Sequence, residues 1–518
     1  MNTPKRFIPR WFYIPALFTL TLLLVSASFA KRNGLFDQLN LLVDVRHELV
    51  SEYVEQPDEE KLTEAAVRAM VEALDDPYTV YLSPQDLEPF DKQVRGTFSG
   101  IGAEVDIQNN HLRIVTPLDD SPAWKAGVMA GDIVLEVDGK SLAEVFAEID
   151  SDARKLREAV KRLQGPEGSK VVVKVRHASG QEAVVEITRA QITVQTVRGW
   201  RRNGEGQWDY MLDPASGIGY VRLSQFTEKT TEDLQAALEM LKKQEVKGLI
   251  LDMRFNPGGL LEAAVQVSDL FLEGGKRIVS VRGRNVPERV QFSTDPGTFK
   301  DLPLVILANQ ASASAAEVVT GALLDNQRAQ FIGTRTFGKG SVQQIRPLED
   351  GAGALKITNA YYYLPSGRNI HRRKDKDEWG VDPQAGFWVP MNAEEIKEMS
   401  RIRREGDVLK NDTKENDDPK PWTPQRIADE LMDKQLAAGV EALQGKVAND
   451  TWPLVGQDGA EEIVQMIKRE TWNASEIYWK NDSRRSRKNW RIWGQPRPRP
   501  RRSPPRWSKW AWVSKTCH

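Results

Sequence analysis

Between residues 217 and 390, short apolar runs alternate with stretches of helical periodicity. Ile218–Leu223, Gly248–Met253 and Leu304–Ala308 are too short for helices and rich in β-branched residues and leucine, which predicts strands, the last two buried. Apolar residues spaced three and four apart predict helices over Thr231–Lys242, Leu261–Leu272 and Ala315–Leu324. Further strand-like runs fall at Gln330–Ile332, Val342–Ile345 and Leu355–Tyr363. This alternation predicts an α/β core. Upstream, Leu35, Leu39, Leu42, Val45, Leu49, Leu62, Ala66, Met70 and Leu74 keep helical spacing and predict two or three amphipathic helices over 35–75. Residues 95–190 change to short β-rich runs punctuated by glycine. Residues 393–470 are charged and helical in pattern, with a linker expected at Asn411–Pro424.

Composition narrows the function. A chain of 518 residues, 40% hydrophobic and 28% charged, can bury a sizeable core in several domains. Its net charge of −1 hides an asymmetry: residues 484–518 hold twelve Lys and Arg and no acid, which leaves −13 on residues 1–483. An acidic body excludes tight nucleic-acid binding by that body. The single cysteine, Cys517, excludes an intramolecular disulfide framework, a cysteine zinc site and an ordinary cysteine protease. None of the five histidines sits in a catalytic or metal motif.

Both ends of the chain differ from its body. Lys5, Arg6 and Arg10 precede an apolar run, Trp11 to Val25, and then small residues before Ala30. This predicts a secretory signal peptide, or an uncleaved anchor, over residues 1–30, and an exported, periplasmic protein, tethered to the inner membrane if the anchor stays. Seven of the fifteen tryptophans fall in residues 472–518, with Arg-Pro repeats at 496–502. We expect a disordered tail there that takes no part in the body's function.

Residues 97–139 carry a binding motif. In Ser99-Gly100-Ile101-Gly102, glycines let successive amides face one carboxylate, and the following run Ala103–Ile107 can pair with an extended peptide. Together these describe capture of a chain's C-terminus by strand addition. The segment from Ser121 to Gly139 resembles a PDZ domain.

Three further segments carry chemistry. The strand Leu304–Ala308 breaks into Asn309-Gln-Ala-Ser-Ala-Ser314 before a helix, which places the hydroxyl of Ser312 or Ser314 at a helix N-terminus, where N–H groups favour developing negative charge. Either serine could equally be a helix cap. Lys339 lies between two glycines beside an apolar strand. With no histidine placed to serve, a lysine kept neutral by burial is the available base. Finally, Leu251–Asp252 runs into Arg254-Phe-Asn-Pro-Gly-Gly259, a turn whose glycine amides suit an oxyanion hole.

Taken together, Gly219–Phe226, Arg254–Gly259, Ser312–Glu317 and Thr336–Gln343 resemble the carboxyl-terminal processing peptidases, Ser–Lys proteases with an embedded PDZ domain, over about residues 35–390. The resemblance implies an α/β protease core of the ClpP/crotonase-like type with an inserted PDZ domain and flanking helices. By residue 31–94 is the N-terminal helical region, 95–190 the PDZ domain, 191–392 the protease core, 393–470 a C-terminal helical region and 471–518 the tail. It places the nucleophile on Ser314, the general base on Lys339, the lysine-orienting amide on Gln343, and the oxyanion donors on the amides of Gly258 and Ala315, with Gly259 as the alternative to Gly258. Asp325 falls on a frequent family acid, read as structural support at a helix end. Ala316 and Phe255 depart from the common pattern without removing a catalytic atom. No metal or cofactor is implied. The expected partners are protein substrates with apolar C-termini, a second copy of the chain through the terminal helices, and an adaptor. The competing readings are a non-catalytic PDZ scaffold, a small-molecule binding protein on the same fold and a Ser–His–Asp protease. The intact Ser314, Lys339 and Gln343, the lack of internal duplication and the lack of a Gly-Asn-Ser-Gly-Gly turn argue against these in turn.

Overall fold

The computed structural model describes residues 39–459 apart from 119, 178, 204–205, 295–298, 374–377 and 409–420. The expected signal segment, the basic tail and most of the expected linker lie outside the described residues.

The core is one sheet covered on both faces. Its parallel strands Ile218–Leu223, Gly248–Asp252, Leu304–Ala308 and Gln330–Gly333 lie side by side in chain order, with Val197–Arg198 and Met211–Asp213 added antiparallel to the first. Side chains alternate across a strand, so each strand feeds two cores. Leu249, Leu251, Leu304 and Ile306 join Leu234, Leu238, Val267, Val318 and Leu323 from the helices Thr230–Lys243, Leu261–Asp269 and Ala315–Asp325. Ile250, Val305, Leu307 and Ile332 face the other way, onto Leu436, Val440 and Leu443 of the helix Lys434–Asn449. Burial on both faces is why these strands read as continuous apolar runs rather than alternating ones.

The last contact corrects an expectation. The C-terminal helical region 393–470 was expected to lie outside the protease core 191–392. Instead Lys434–Asn449 forms the second helical layer of that core, packing its apolar stripe on Ile250 and Leu307 alongside Phe387, Val389 and Ile427. By contrast, the helices 39–52 and Glu59–Glu72 keep Leu39, Leu41, Leu42, Val45, Leu49 and Met70 exposed.

A second sheet runs in the order Val80–Leu82, Ala354–Tyr363, Arg277–Gly283 and Val286–Phe292, with Ser341–Pro347 paired to Ala354–Tyr363. The hairpin Arg277–Phe292 was not expected from sequence. Only Ile278, Val279 and Ser280 in it are buried, and its outer strand reads as charged and polar.

Residues 103–188 form a separate small sheet with its own core, including Leu112, Ile114, Val134, Val173, Val175 and Ile187. The module enters and leaves through one antiparallel pair, Thr97–Gly100 against Ala190–Thr193, as an inserted unit must. Its strand Ala103–Gln108 is paired only on one side, to His111–Pro117, and the helix Asp152–Leu163 lies beside it.

The sheet's C-terminal edge is fixed by buried charge. Arg254, fully buried, donates to Asp252 Oδ2 at 2.7 Å and to Asp433 Oδ1 and Oδ2 at 2.7 and 2.8 Å. Tyr220 Oη and Arg403 Nη2 also donate to Asp252. Burial alone would lift the Asp252 carboxyl, but Arg254 and Arg403 hold it well below the usual carboxylate range. This cluster ties the turn after Gly248–Asp252 to the start of the last helix. Removing one partner strands a buried charge, so Asp433→Ala is expected to lower unfolding free energy by about 3–5 kcal/mol. Chemical denaturation of the two proteins checks this; an unchanged midpoint would show that the cluster is dispensable.

Candidate active site

Ser312 and Ser314 are separated by what their hydroxyls touch. Ser312, fully buried, donates from Oγ to the Met253 carbonyl at 2.8 Å and accepts the Asn309 N–H at 2.9 Å. Its hydroxyl is spent inside the loop. Ser314 stands directly before the helix Ala315–Asp325 with φ 56° and ψ −114°. A residue with a side chain held there carries about 1–3 kcal/mol of strain. The Tyr362 phenol lies in hydrogen-bonding reach of that hydroxyl.

The glycine turn packs against this serine. Asn256, fully buried, donates to the Leu223 carbonyl and accepts the Gly258 N–H at 2.8 Å, while the Asn256 carbonyl accepts from Ala313. At Gly258, φ is +97° and a methyl group would sit 2.7 Å from Ser314 Cβ and 2.9 Å from the Ala315 nitrogen. Glycine is required there by both backbone and space. The expected oxyanion pair is therefore altered. The Gly258 amide is already donated to Asn256, whereas the amides of Ala315 and Gly259 meet no acceptor among the described residues. Phe255, where the family pattern has asparagine, sits at φ 64°, a left-handed conformation that asparagine tolerates far better than a bulky ring.

Lys339 lies in the loop before Ser341–Pro347. Its flanking glycines are close-packed: a methyl on Gly338 would lie 2.5 Å from Trp379 Cδ1, and one on Gly340 would lie 2.6 Å from the His371 nitrogen. The amine lies 5.0 Å from the centre of the Tyr78 ring. Burial, with the charge of Lys356, pushes the Lys339 amine down to about 8. Burial and the Arg373 charge likewise hold the adjacent His371 imidazole at about 4, so it is neutral at neutral pH.

Glu317 joins the two segments. It is fully buried, one turn into the serine's helix. Its Oε2 accepts the backbone N–H of both Ser314 and Lys339, each at 2.8 Å. Its Oε1 accepts the Gly338 N–H and the Thr336 hydroxyl, each at 2.6 Å. Thr336 Oγ1 accepts the Val381 N–H and so spends its one proton on Glu317. Burial raises the Glu317 pKa while the four donors pull it back. Sequence reasoning quoted Glu317 only as the end of a motif; the signal available was an acid in the first turn of a helix otherwise made of small apolar residues. Tyr362, Tyr78 and His371 were missed because they come from elements distant in sequence.

Among the described residues, no hydrogen bond joins the Ser314 hydroxyl to the Lys339 amine, and Gln343 is turned elsewhere. Its Nε2 donates to Ser341 Oγ at 2.9 Å and Thr358 Oγ1 at 3.2 Å. Asp325 ends the serine's helix and accepts the Ser366 N–H at 3.0 Å, a helix-end contact. In the small module, Ser99 Oγ donates to the Gly165 carbonyl, and the carbonyls of Ile101 and Gly102 accept from Ala123 and Leu118. The amides of Ile101 and Gly102 meet no acceptor among the described residues, beside the open edge of Ala103–Gln108. The described residues hold no group of His, Cys, Asp and Glu suited to a metal ion.

A serine at a strained strand–helix turn of a doubly covered α/β sheet, with a PDZ module inserted upstream, defines a serine peptidase that carries its own peptide-binding domain. Residues 217–385 match the peptidase family S41, residues 113–177 a PDZ domain, and residues 26–85 the N-terminal domain of the activating protease CtpB. The chain is 39% identical over 368 residues to a carboxy-terminal-processing protease of Bartonella bacilliformis, covering 69% of this chain and 79% of that protein. It is 30% identical over 457 residues to the carboxy-terminal processing protease CtpA of Bacillus subtilis, covering 88% and 91%. A solved photosystem II D1 C-terminal processing protease is 30% identical, with 66% and 85% coverage and a TM-score of 0.40. The chain belongs to the carboxyl-terminal processing proteases of peptidase family S41.

Glu317→Gln keeps the shape but turns an amide N–H₂ towards at least one donor. It is expected to cost about 2–4 kcal/mol of stability and to lower kcat at least about 10²-fold through misplacement of Ser314 and Lys339. Ser312→Ala is expected to retain most activity. Steady-state kinetics on folded protein checks both; an inactive Ser312→Ala with normal stability would contradict the separation of the two serines.

Proposed function

We propose that this chain is an exported endopeptidase that captures apolar C-termini of protein substrates in its PDZ domain and cleaves them with Ser314 and Lys339. The observation that carries this reading is the single Glu317 oxygen on which the amides of Ser314 and Lys339 meet. It ties the turn of a strained serine to the loop of a lysine of lowered pKa, with the neutral His371 imidazole beside that lysine.

The reaction follows from that arrangement. The substrate's terminal carboxylate takes the free Ile101 and Gly102 amides, and its last residues add to the edge of Ala103–Gln108. Lys339, neutral above about pH 8, takes the Ser314 proton as Oγ attacks the scissile carbonyl. The Ala315 amide, with that of Gly259 or a Gly258 released from Asn256, stabilises the oxyanion. Lys339 then protonates the leaving amine, and water releases the acyl group. For proton transfer the Ser314 hydroxyl must leave Tyr362, and Gln343 must leave Ser341 and Thr358 to orient the lysine. The arrangement described above is thus a resting one, and substrate binding drives the change. The exposed apolar helices 39–52 and Glu59–Glu72 support assembly with a second copy or an adaptor. The basic and apolar N-terminal pattern supports export to the periplasm, with or without a retained anchor.

Ser314→Ala and Lys339→Ala are each expected to reduce cleavage of an unfolded protein with an apolar C-terminus by at least about 10³-fold. Wild-type kcat/KM should rise with pH and level off above about 8. Activity in either variant, or a profile that falls through this range, would contradict the dyad.

A further inference from the structure

Along the strand Ala354–Tyr363 is a cavity of about 640 Å³ whose charge the proposed chemistry does not use. Its floor is the stretch 357–360 of the strand Ala354–Tyr363, left open between the partners that pair with the strand's two ends, Val80–Leu82 and Arg277–Gly283. Arg282, Arg284, Arg346 and Arg373 line it together with Tyr361 and Tyr363, and no carboxylate is among the lining residues.

These arginines are arranged rather than merely clustered. The Arg282 guanidinium lies 3.9 Å from the Tyr363 ring centre, and that of Arg373 lies 4.7 Å from the Tyr361 ring centre. Stacking holds a guanidinium plane in place while leaving its N–H edge free for an oxyanion. Among the described residues, Arg284 and Arg373 make no ion pair, and Arg346 makes only a long bond of 3.4 Å to Gln344 Oε1. Glu288, whose charge also acts on Arg282, pairs with Arg277 at 3.1 Å. Four arginines around one cavity, only Arg282 of them feeling a nearby carboxylate, make a positive field that attracts an anion.

The cavity also reaches the strand pair that carries Gln343. Thr358, which accepts from Gln343, is part of its floor, and Tyr361 is the cross-strand neighbour of Ser341. Resting on the protease reading above, we propose that this groove is a specificity subsite that binds the acidic side chains of the peptide substrate. Carboxylates pair with the edges of Arg282, Arg284 and Arg373 while the scissile bond lies at Ser314. An acidic peptide is favoured over a membrane surface because the groove shares a strand with the catalytic chamber. Contact with Thr358 further places a bound acid where it can act on the position of Gln343.

The experiment uses two fluorescent peptides with the same apolar C-terminus, one carrying three Asp or Glu residues upstream and one their Asn or Gln counterparts. Binding is read by anisotropy on the full chain carrying Ser314→Ala, and cleavage on the active chain. The acidic peptide should bind about tenfold more tightly at low salt, with the ratio shrinking as ionic strength rises. In Arg282→Gln/Arg284→Gln the ratio should fall to near one, and Arg284→Glu should shift preference towards a Lys-bearing peptide. Equal affinities for the two peptides overturn the proposal. So does a preference that survives the double substitution, or capture of phosphatidylglycerol vesicles by the same arginines with no peptide preference. An intact binding preference without cleavage of either peptide would support the groove and sink the protease reading.

Discussion

One buried carboxylate organises this active site. Among the described residues Glu317 makes no ion pair; it is held by four donors, three of them backbone amides, from two segments more than twenty residues apart. Backbone amides cannot be repositioned by a rotamer change, so the carboxylate sets the separation of the serine's turn and the lysine's loop. Leaving those donors unpaired inside the protein would cost more than any single surface interaction could restore. The strain at Ser314 is sustained by the same contact, since its amide is one of the four.

Two further constraints surround that centre. The Arg254 cluster clamps the Asn256–Gly259 turn to the final helix, and the turn in turn abuts Ser314 so closely that Gly258 admits no side chain. The second constraint is an opposed one. Lys339 has a folded-state pKa below its unfolded value, so its charged form costs stability at every pH below about 8, and the cost is relieved as pH rises from there towards 10.5. The fold thus carries a lysine that weakens it near neutral pH, which is the condition for having a base there at all.

Much of this was legible in the residues. Strands buried on both faces announce themselves as apolar runs, and the core strands and helices fell within a few residues of their expected limits. Small residues and glycines drew attention to Lys339 and to Ser312 or Ser314, and only the family resemblance chose Ser314 between the two serines. Three things were not legible. The role of Lys434–Asn449 depends on which sheet face lacks a cover, and no local pattern encodes that. The hairpin Arg277–Phe292 buries only Ile278, Val279 and Ser280, so its alternation is faint. The Gly258 amide looked free because the turn motif does not reveal that Asn256, two residues earlier, folds back to accept it. Gln343 is a similar case: its residue type fits a lysine-orienting role, but its rotamer is set by Ser341 and Thr358.

The central claim is that folding makes Lys339 a weak acid able to act as a base. It is tested most directly by titrating its amine in the full chain by NMR with isotope-labelled lysine, assigning the signal by its loss in Lys339→Met. The account predicts a midpoint near 8, well below that of the remaining lysines. A midpoint near the ordinary lysine value of about 10.4 would contradict it.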